Sequence, residues 1–313
     1  MVLRLTMLCV VGVGLLYSVA HLDSQYREKA GIALLSGLLA GLASMAVGYV
    51  YAKITGASLW SSYYSDPLTT LNNGAIAVSL LAWPAFAILR RRGQTIVFFV
   101  IGAAAYIGLL FLSSAAALLA PAVGFAGFAV VWLWRRPGAL ALGAIAAVLV
   151  LTAPQVVTLA TTGIKASEAA PMLPGSARHR LNMWAFAVEK IEEKPLWGWG
   201  MDASRAIPQD DRRLAYNMEI MPLHPHNAFL QIRLELGIPG AIIAAALVYF
   251  FFSGIGAVED RFAAAVMTGA GGAYLTVASV SYGIWQNWWL AFAWLLAALT
   301  VMALLPQASV ERD

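Results

Sequence analysis

The sequence predicts an all-α, polytopic membrane helix bundle of about nine transmembrane helices, with one large periplasmic loop subdomain. Three observations predict it. The chain is 61% hydrophobic and 12% charged, whereas soluble domains carry about 25% charged residues. Its apolar residues gather into runs of roughly 17–25, the length that crosses a bilayer core as helix. The alternation over ~10 residues that marks a barrel strand is absent, so helices must satisfy the backbone in lipid.

An N-terminal pair of helices occupies 1–60. Its first run, 2–20, resembles a signal peptide in length, but it carries only Arg4 ahead of the apolar stretch and more spans follow, so it reads as retained. The second run is 31–52. Residues 61–160 hold four more spans, at 74–90, 95–113, 115–134 and 138–160. Arg90–Arg92 and Arg135-Arg136 fall in loops separated by two spans, and positive charge places both loops in the cytoplasm. The segment 161–226 is then periplasmic. Residues 227–305 supply a short interfacial or re-entrant helix and spans at 238–257, 263–283 and 286–305, and 306–313 form a cytoplasmic tail. The single cysteine, Cys9, excludes an intrachain disulfide and any multi-cysteine metal site. A net charge of +4 without a Lys/Arg run gives no footprint for nucleic acid.

The periplasmic loop holds half of the acidic side chains and three of the four histidines, His179, His224 and His226. Such a long polar segment is a folded subdomain, and long structured loops carry function. Within it, Ser176–Lys194 has helical periodicity, with Leu181, Trp184, Ala185, Val188 and Ile191 on one stripe, Ser176 as N-cap and Pro195 as stop. The turn Leu196-Trp197-Gly198-Trp199-Gly200 follows.

The sharpest feature is His224-Pro225-His226-Asn227 leading into Gly237-Ile238-Pro239-Gly240. Asn227 is a good N-cap, so a helix starts there, and its free N–H groups beside His226 would bind an anion. If that helix begins one residue earlier, His226, Leu230 and Arg233 share a face. Pro239 with Gly237 and Gly240 ends the short helix before the true span. This split keeps Arg233 and Glu235 out of hydrocarbon. Each feature also has a plainer reading. A periplasmic histidine is usually a surface residue. His224 and His226 have the spacing of metal ligands, but with no third ligand nearby they are assigned no metal. Arg233 and Glu235 suit an interfacial ion pair, and Gly237 and Gly240 suit helix packing.

Together these residues resemble the O-antigen ligase family of membrane glycosyltransferases. The signature is His226-Asn227, nine residues, Gly237, two residues, Gly240, placed after the large periplasmic loop. A second match runs from Arg180 through Trp184 to Glu193-Lys194-Pro195-Leu196-Trp197-Gly198-Trp199-Gly200. The resemblance implies a bacterial inner-membrane enzyme without cofactor. It would take a glycan from an undecaprenyl-diphosphate carrier and pass it to an acceptor hydroxyl, the lipid A core in the ligases proper. It implies that His226 is the essential histidine, as general base or hydrogen-bonding group, and that Arg180 contacts the diphosphate. Arg233 is a further diphosphate candidate from the helical face alone. One departure stands out. Relatives usually carry a base after the serine at the turn before span 115–134, where this chain has Ala115 after Ser113-Ser114. The readings in competition are a polysaccharide polymerase or protein O-oligosaccharyltransferase of the same family, an inactive member, and a transporter on the same scaffold.

Overall fold

The computed structural model describes residues 1–61, 66–112, 114–165, 175–209 and 219–305. Ser113, the charged residues of 166–174 and 210–218, and the tail 306–313 lie outside the described residues. Regular structure among the described residues is helical: α1 (Val2–Ala20), α2 (Ser24–Thr55), α3 (Asn72–Arg91), α4 (Thr95–Leu109), α5 (Ala115–Leu151), α6 (Ala153–Lys165), α7 (Gly175–Glu193), α8 (Ala228–Gly256), α9 (Arg261–Val280) and α10 (Asn287–Leu304). Short 3-10 turns lie at Pro67–Leu71 and Ala203–Ala206.

Seven of these helices are long and apolar enough to cross a membrane, so the chain is a helical membrane protein. The count differs from the expected nine for two physical reasons. The predicted span 95–113 is a helix of only 15 residues, about 22 Å against a bilayer core of about 30 Å. The predicted spans 115–134 and 138–160 fall in one apolar run, α5, which counts once among the seven, but non-helical Arg135 divides it into two helices where the sequence placed the break, and the second ends at Leu151 rather than 160. Pro137 causes the bend, since it cannot donate to the carbonyl one turn back. After Thr152 the chain starts α6, with Pro154 in its first turn, where a missing N–H costs nothing. The boundary expected at Thr161 therefore falls inside a helix.

The chain divides into two compact units. One comprises residues 2–133, 259–277 and 290–313. Its core centres on Trp83, whose ring packs on Phe125 at 4.9 Å between centroids. Gly124 and Gly269 leave room for that ring: a Cβ at either would come within 2.5 Å or less of it. Ser79 Oγ donates to the Ala75 and Ala117 carbonyls at 2.9 Å. Ser114 is buried and its Oγ accepts the Ala117 N–H, capping α5, while Ala115 is exposed.

The other unit comprises Met1, 134–258 and 278–289. Its apolar core joins α6 (Ala153, Val157), α7 (Met183, Phe186, Ala187, Ile191) and the start of α8 (Leu230, Leu234). The predicted stripe of α7 holds at Leu181 and Ile191, which are buried, and is rotated between them. Met183, Phe186, Ala187, Lys190 and Ile191 are buried, whereas Ala185 and Val188 are half-buried. The rotation arises because two helices, α6 and α8, cover α7. Lys190 keeps its charge satisfied at the rim through Glu193, 2.7 Å away.

Candidate functional site

The site is built on a break in α8. At Gly237 the backbone turns to φ 62 and ψ −151, so residues 228–236 and 238–256 are separate helices. In an unbroken helix the Leu234 carbonyl would take the N–H of Ile238. The Glu235 carbonyl would take that of residue 239, which is proline. The turn at 196–200 supplies both missing partners. Trp199 N donates to Leu234 O and Gly200 N to Glu235 O, each at 2.9 Å, and Ile238 N donates to Leu196 O at 3.0 Å. Buried backbone groups must be paired, and here two distant segments pair each other's. The glycines follow from that approach. A Cβ on Gly237 would sit 2.1 Å from the Leu196 carbonyl oxygen, and one on Gly198 would sit 2.5 Å from the Glu235 carbonyl. Gly198 and Gly200 also have φ of 70 and 103, the left-handed region that only glycine enters cheaply.

At the other end of residues 228–236, Asn227 caps the helix. Its side chain accepts from Phe229 N and Leu230 N at 3.1 and 3.0 Å. The cap therefore uses two of the N–H groups expected to be free for an anion. His226 lies outside the helix with φ 52, so it does not continue the face of Leu230 and Arg233. Arg233 therefore does not share a helical face with His226. The Arg233 guanidinium donates to the Pro195 carbonyl at 2.9 Å, bracing the turn that precedes Gly198. The Arg233–Glu235 ion pair does not form either. Glu235 is fully buried and takes its hydrogen bonds elsewhere.

His226 is held from three sides in a backbone conformation that costs about 1–2 kcal/mol for a side chain with Cβ. Trp184 Nε1 donates to the Pro225 carbonyl at 2.8 Å, and Asn227 anchors the following residue. The His226 N–H donates to Nδ1 of His224 at 3.2 Å. The ring is fixed as well: Nδ1 lies 2.5 Å from the Ser281 carbonyl. A carbonyl can only accept, so Nδ1 carries the hydrogen and the neutral ring presents a lone pair at Nε2. Burial holds His226 below its ordinary value. The Ser281 bond opposes that, and the charges of Arg180 and His179 add to it. His226 is therefore neutral near pH 7.

Arg180 and His179, on α7, thus stand within electrostatic reach of His226. Burial lowers the Arg180 pKa, and the neighbouring Tyr282 offsets it. Arg180 forms no ion pair with a carboxylate among the described residues, so a half-buried guanidinium faces the histidine without a protein counter-ion. Burial, then Arg180, lower His179. His224 is buried, with its Nε2 3.2 Å from the Gln286 amide. Burial and then the neighbours His226 and Arg205 take its pKa to about 3. Gly283 makes room for its ring, because a Cβ there would come within 2.7 Å. His224 is therefore a neutral brace.

The structure brings together Arg180, Trp184, His226 and Asn227, and it uses Gly237 as the hinge. Gly240 follows in the second helical piece, where a Cβ would meet the Leu236 side chain at 2.2 Å. Sequence reasoning assigned no role to Ser281 or Tyr282 and offered Glu235 only as an ion-pair partner of Arg233. Only His179, next to Arg180 on the same helix, left a usable signal.

Residues 96–245 match the family model described as O-Antigen ligase, a segment that contains Arg180, Trp184, His226, Asn227, Gly237 and Gly240. A protein of Rickettsia conorii named "Putative polysaccharide ligase" is 32% identical over 246 residues, 76% of this chain and 59% of that protein. A protein of Rickettsia typhi with the same description is 30% identical over 243 residues, 75% of this chain and 59% of its own. The chain thus spans about three-fifths of the length of the curated relatives it matches. No solved structure matches it. By this matched segment and by its likeness to those relatives, the chain belongs to the O-antigen ligase family.

Proposed function

We propose that the protein is a glycosyltransferase of O-antigen ligase type. It moves a glycan from an undecaprenyl-diphosphate carrier to an acceptor hydroxyl, that of the lipid A core, at the periplasmic face of the bacterial inner membrane. The observation that carries this reading is the pairing of an imidazole fixed through Nδ1 with a guanidinium that has no carboxylate partner among the described residues. The acceptor oxygen attacks the anomeric carbon, and its proton passes to His226 Nε2. The bond from that carbon to the phosphate oxygen breaks, and its electron pair leaves with the diphosphate. Arg180 suits the leaving diphosphate because a guanidinium meets two phosphate oxygens at once. The Ser281 carbonyl stabilises the imidazolium that forms. Arg233, tied to Pro195, is a second diphosphate contact only if the carrier reaches the 195–200 turn.

Transfer from undecaprenyl-diphosphate glycan to purified lipid A core tests the chemistry. His226→Ala should lower the rate by about 10²–10⁴-fold, as loss of a general base does. Arg180→Ala should cost about 10–150-fold in donor use, the worth of a charged hydrogen bond. Product that is a longer carrier-linked polymer, with the core left bare, would identify a polymerase instead. Transfer undiminished in His226→Ala would remove the proposed base. Side is tested separately. Trp197 is 77% exposed on the turn, so Trp197→Cys in a Cys9→Ala background should react with an impermeant maleimide in intact spheroplasts. Reaction only after lysis would put the site in the cytoplasm.

A further inference from the structure

The transfer chemistry leaves Glu235 unused, yet this side chain is fully buried. Burying an ionised carboxylate is costly unless hydrogen bonds replace its water. Here donors from three segments do so. Oε2 accepts from Asp202 N and from Trp285 Nε1, each at 2.5 Å. Oε1 accepts from Gln231 Nε2 at 2.9 Å, from Ser204 N at 3.4 Å and from Ser204 Oγ. No basic side chain pairs with it among the described residues.

The arrangement has a direction. Glu235 holds the amide nitrogen of Gln231, one helical turn away, which aims the amide oxygen at Ile284 N, 2.9 Å distant. Glu235 itself takes Trp285. The segment 281–286 is therefore clamped at two consecutive residues. Three residues before the clamp is the Ser281 carbonyl that fixes His226 Nδ1, and one residue after it is Gln286, beside His224 Nε2. Both histidines lean on a segment whose place is set by one carboxylate. Catalytic bases are commonly oriented by a third group; here that group is a backbone carbonyl, and a carboxylate places the carbonyl.

We propose that Glu235 is a positioning residue for His226, acting through Gln231, Trp285 and the 281–286 segment. The proposal rests on the reading of His226 as the transfer base. Glu235→Gln keeps the shape but replaces one acceptor oxygen with an amide that meets other donors. In the full chain it should lower kcat by about 10–100-fold and leave the donor KM within about threefold, since only the base is disturbed. The loss should vanish in a His226→Ala background, because residues acting as one unit are not additive. Trp285→Phe, which leaves the carboxylate in place, should show a smaller loss of the same kind. It also carries the test if Glu235→Gln does not fold.

Carbethoxylation read by mass spectrometry gives a measure independent of turnover. The rate at His226 should change at least about threefold in Glu235→Gln, with exposed His21 as the unchanged control. An unchanged rate at His226, or equal losses with and without the histidine, overturns the proposal. A parent chain that transfers nothing overturns the transfer reading, while the labelling comparison still decides the role of Glu235.

Discussion

The chain bends a long apolar helix twice, at Arg135 in α5 and at Gly237 in α8, and the two bends have nearly the same backbone. Arg135 has φ 49 and ψ −129; Gly237 has φ 62 and ψ −151. Each lies two residues before a proline, at Pro137 and Pro239. They differ in what surrounds them. Residues 133–137 are exposed, whereas Gly237 is buried and its neighbours' carbonyls are met by the 196–200 turn. A proline thus sets where a helix breaks. Whether the break becomes a site depends on what takes up the backbone groups it frees.

The largest test of this contrast is Gly237→Ala. The Cβ would collide with the Leu196 carbonyl and the residue would keep a positive φ, so about 2–5 kcal/mol of stability should be lost. Thermal unfolding in detergent reads the loss, and transfer should fall with it. Unchanged unfolding would mean that the turn is not seated on the break.

An intermediate effect should come from pH. His224 accepts the His226 N–H, and its pKa is lowered to about 3. The unfolded chain therefore binds more protons than the folded one between its ordinary value, about 6.5, and about 3. Stability should fall as pH drops through that window, by up to about 1.4 kcal/mol per unit for this one group. Burial lowers His226 and His179 as well, and they act in the same direction. Unfolding temperatures across the window should decline less steeply in His224→Gln. An identical slope would show that His224 is not held neutral.

The smallest effect belongs to the exposed bend. Arg135→Gly removes the strain of a side chain at positive φ but adds freedom to the unfolded chain. The net gain should be about 1 kcal/mol or less, with transfer unchanged, by the same unfolding measurement. A loss comparable to that of Gly237→Ala would make the two bends equivalent and end the comparison.

What was legible in the sequence is what short-range chemistry decides. Asn227 as cap, the stop before Pro195, and a short helix ending ahead of Pro239 all rest on neighbours within a few residues. What was not legible depends on distant partners. Glu235 looked like half of an ion pair with Arg233, because nothing nearby reveals that Asp202, Ser204 and Trp285 converge on it. The rotation of α7 escaped for the same reason: its stripe was drawn from its own periodicity, whereas α6 and α8 choose which side they cover. The helix face proposed for Arg233 required His226 to be helical, and the short capped turn at Pro225-His226-Asn227 forbids it.

The latch between residues 196–200 and 234–238 is made of peptide groups rather than side chains. Leu196 and Trp197 are 60% and 77% exposed, so the positions that form the latch also display side chains outward. Replacing those side chains leaves the latch's hydrogen bonds untouched, provided Gly198 and Gly237 stay. Selection can therefore rewrite what this surface recognises, one residue at a time, without reopening the question of how the chain folds beneath it.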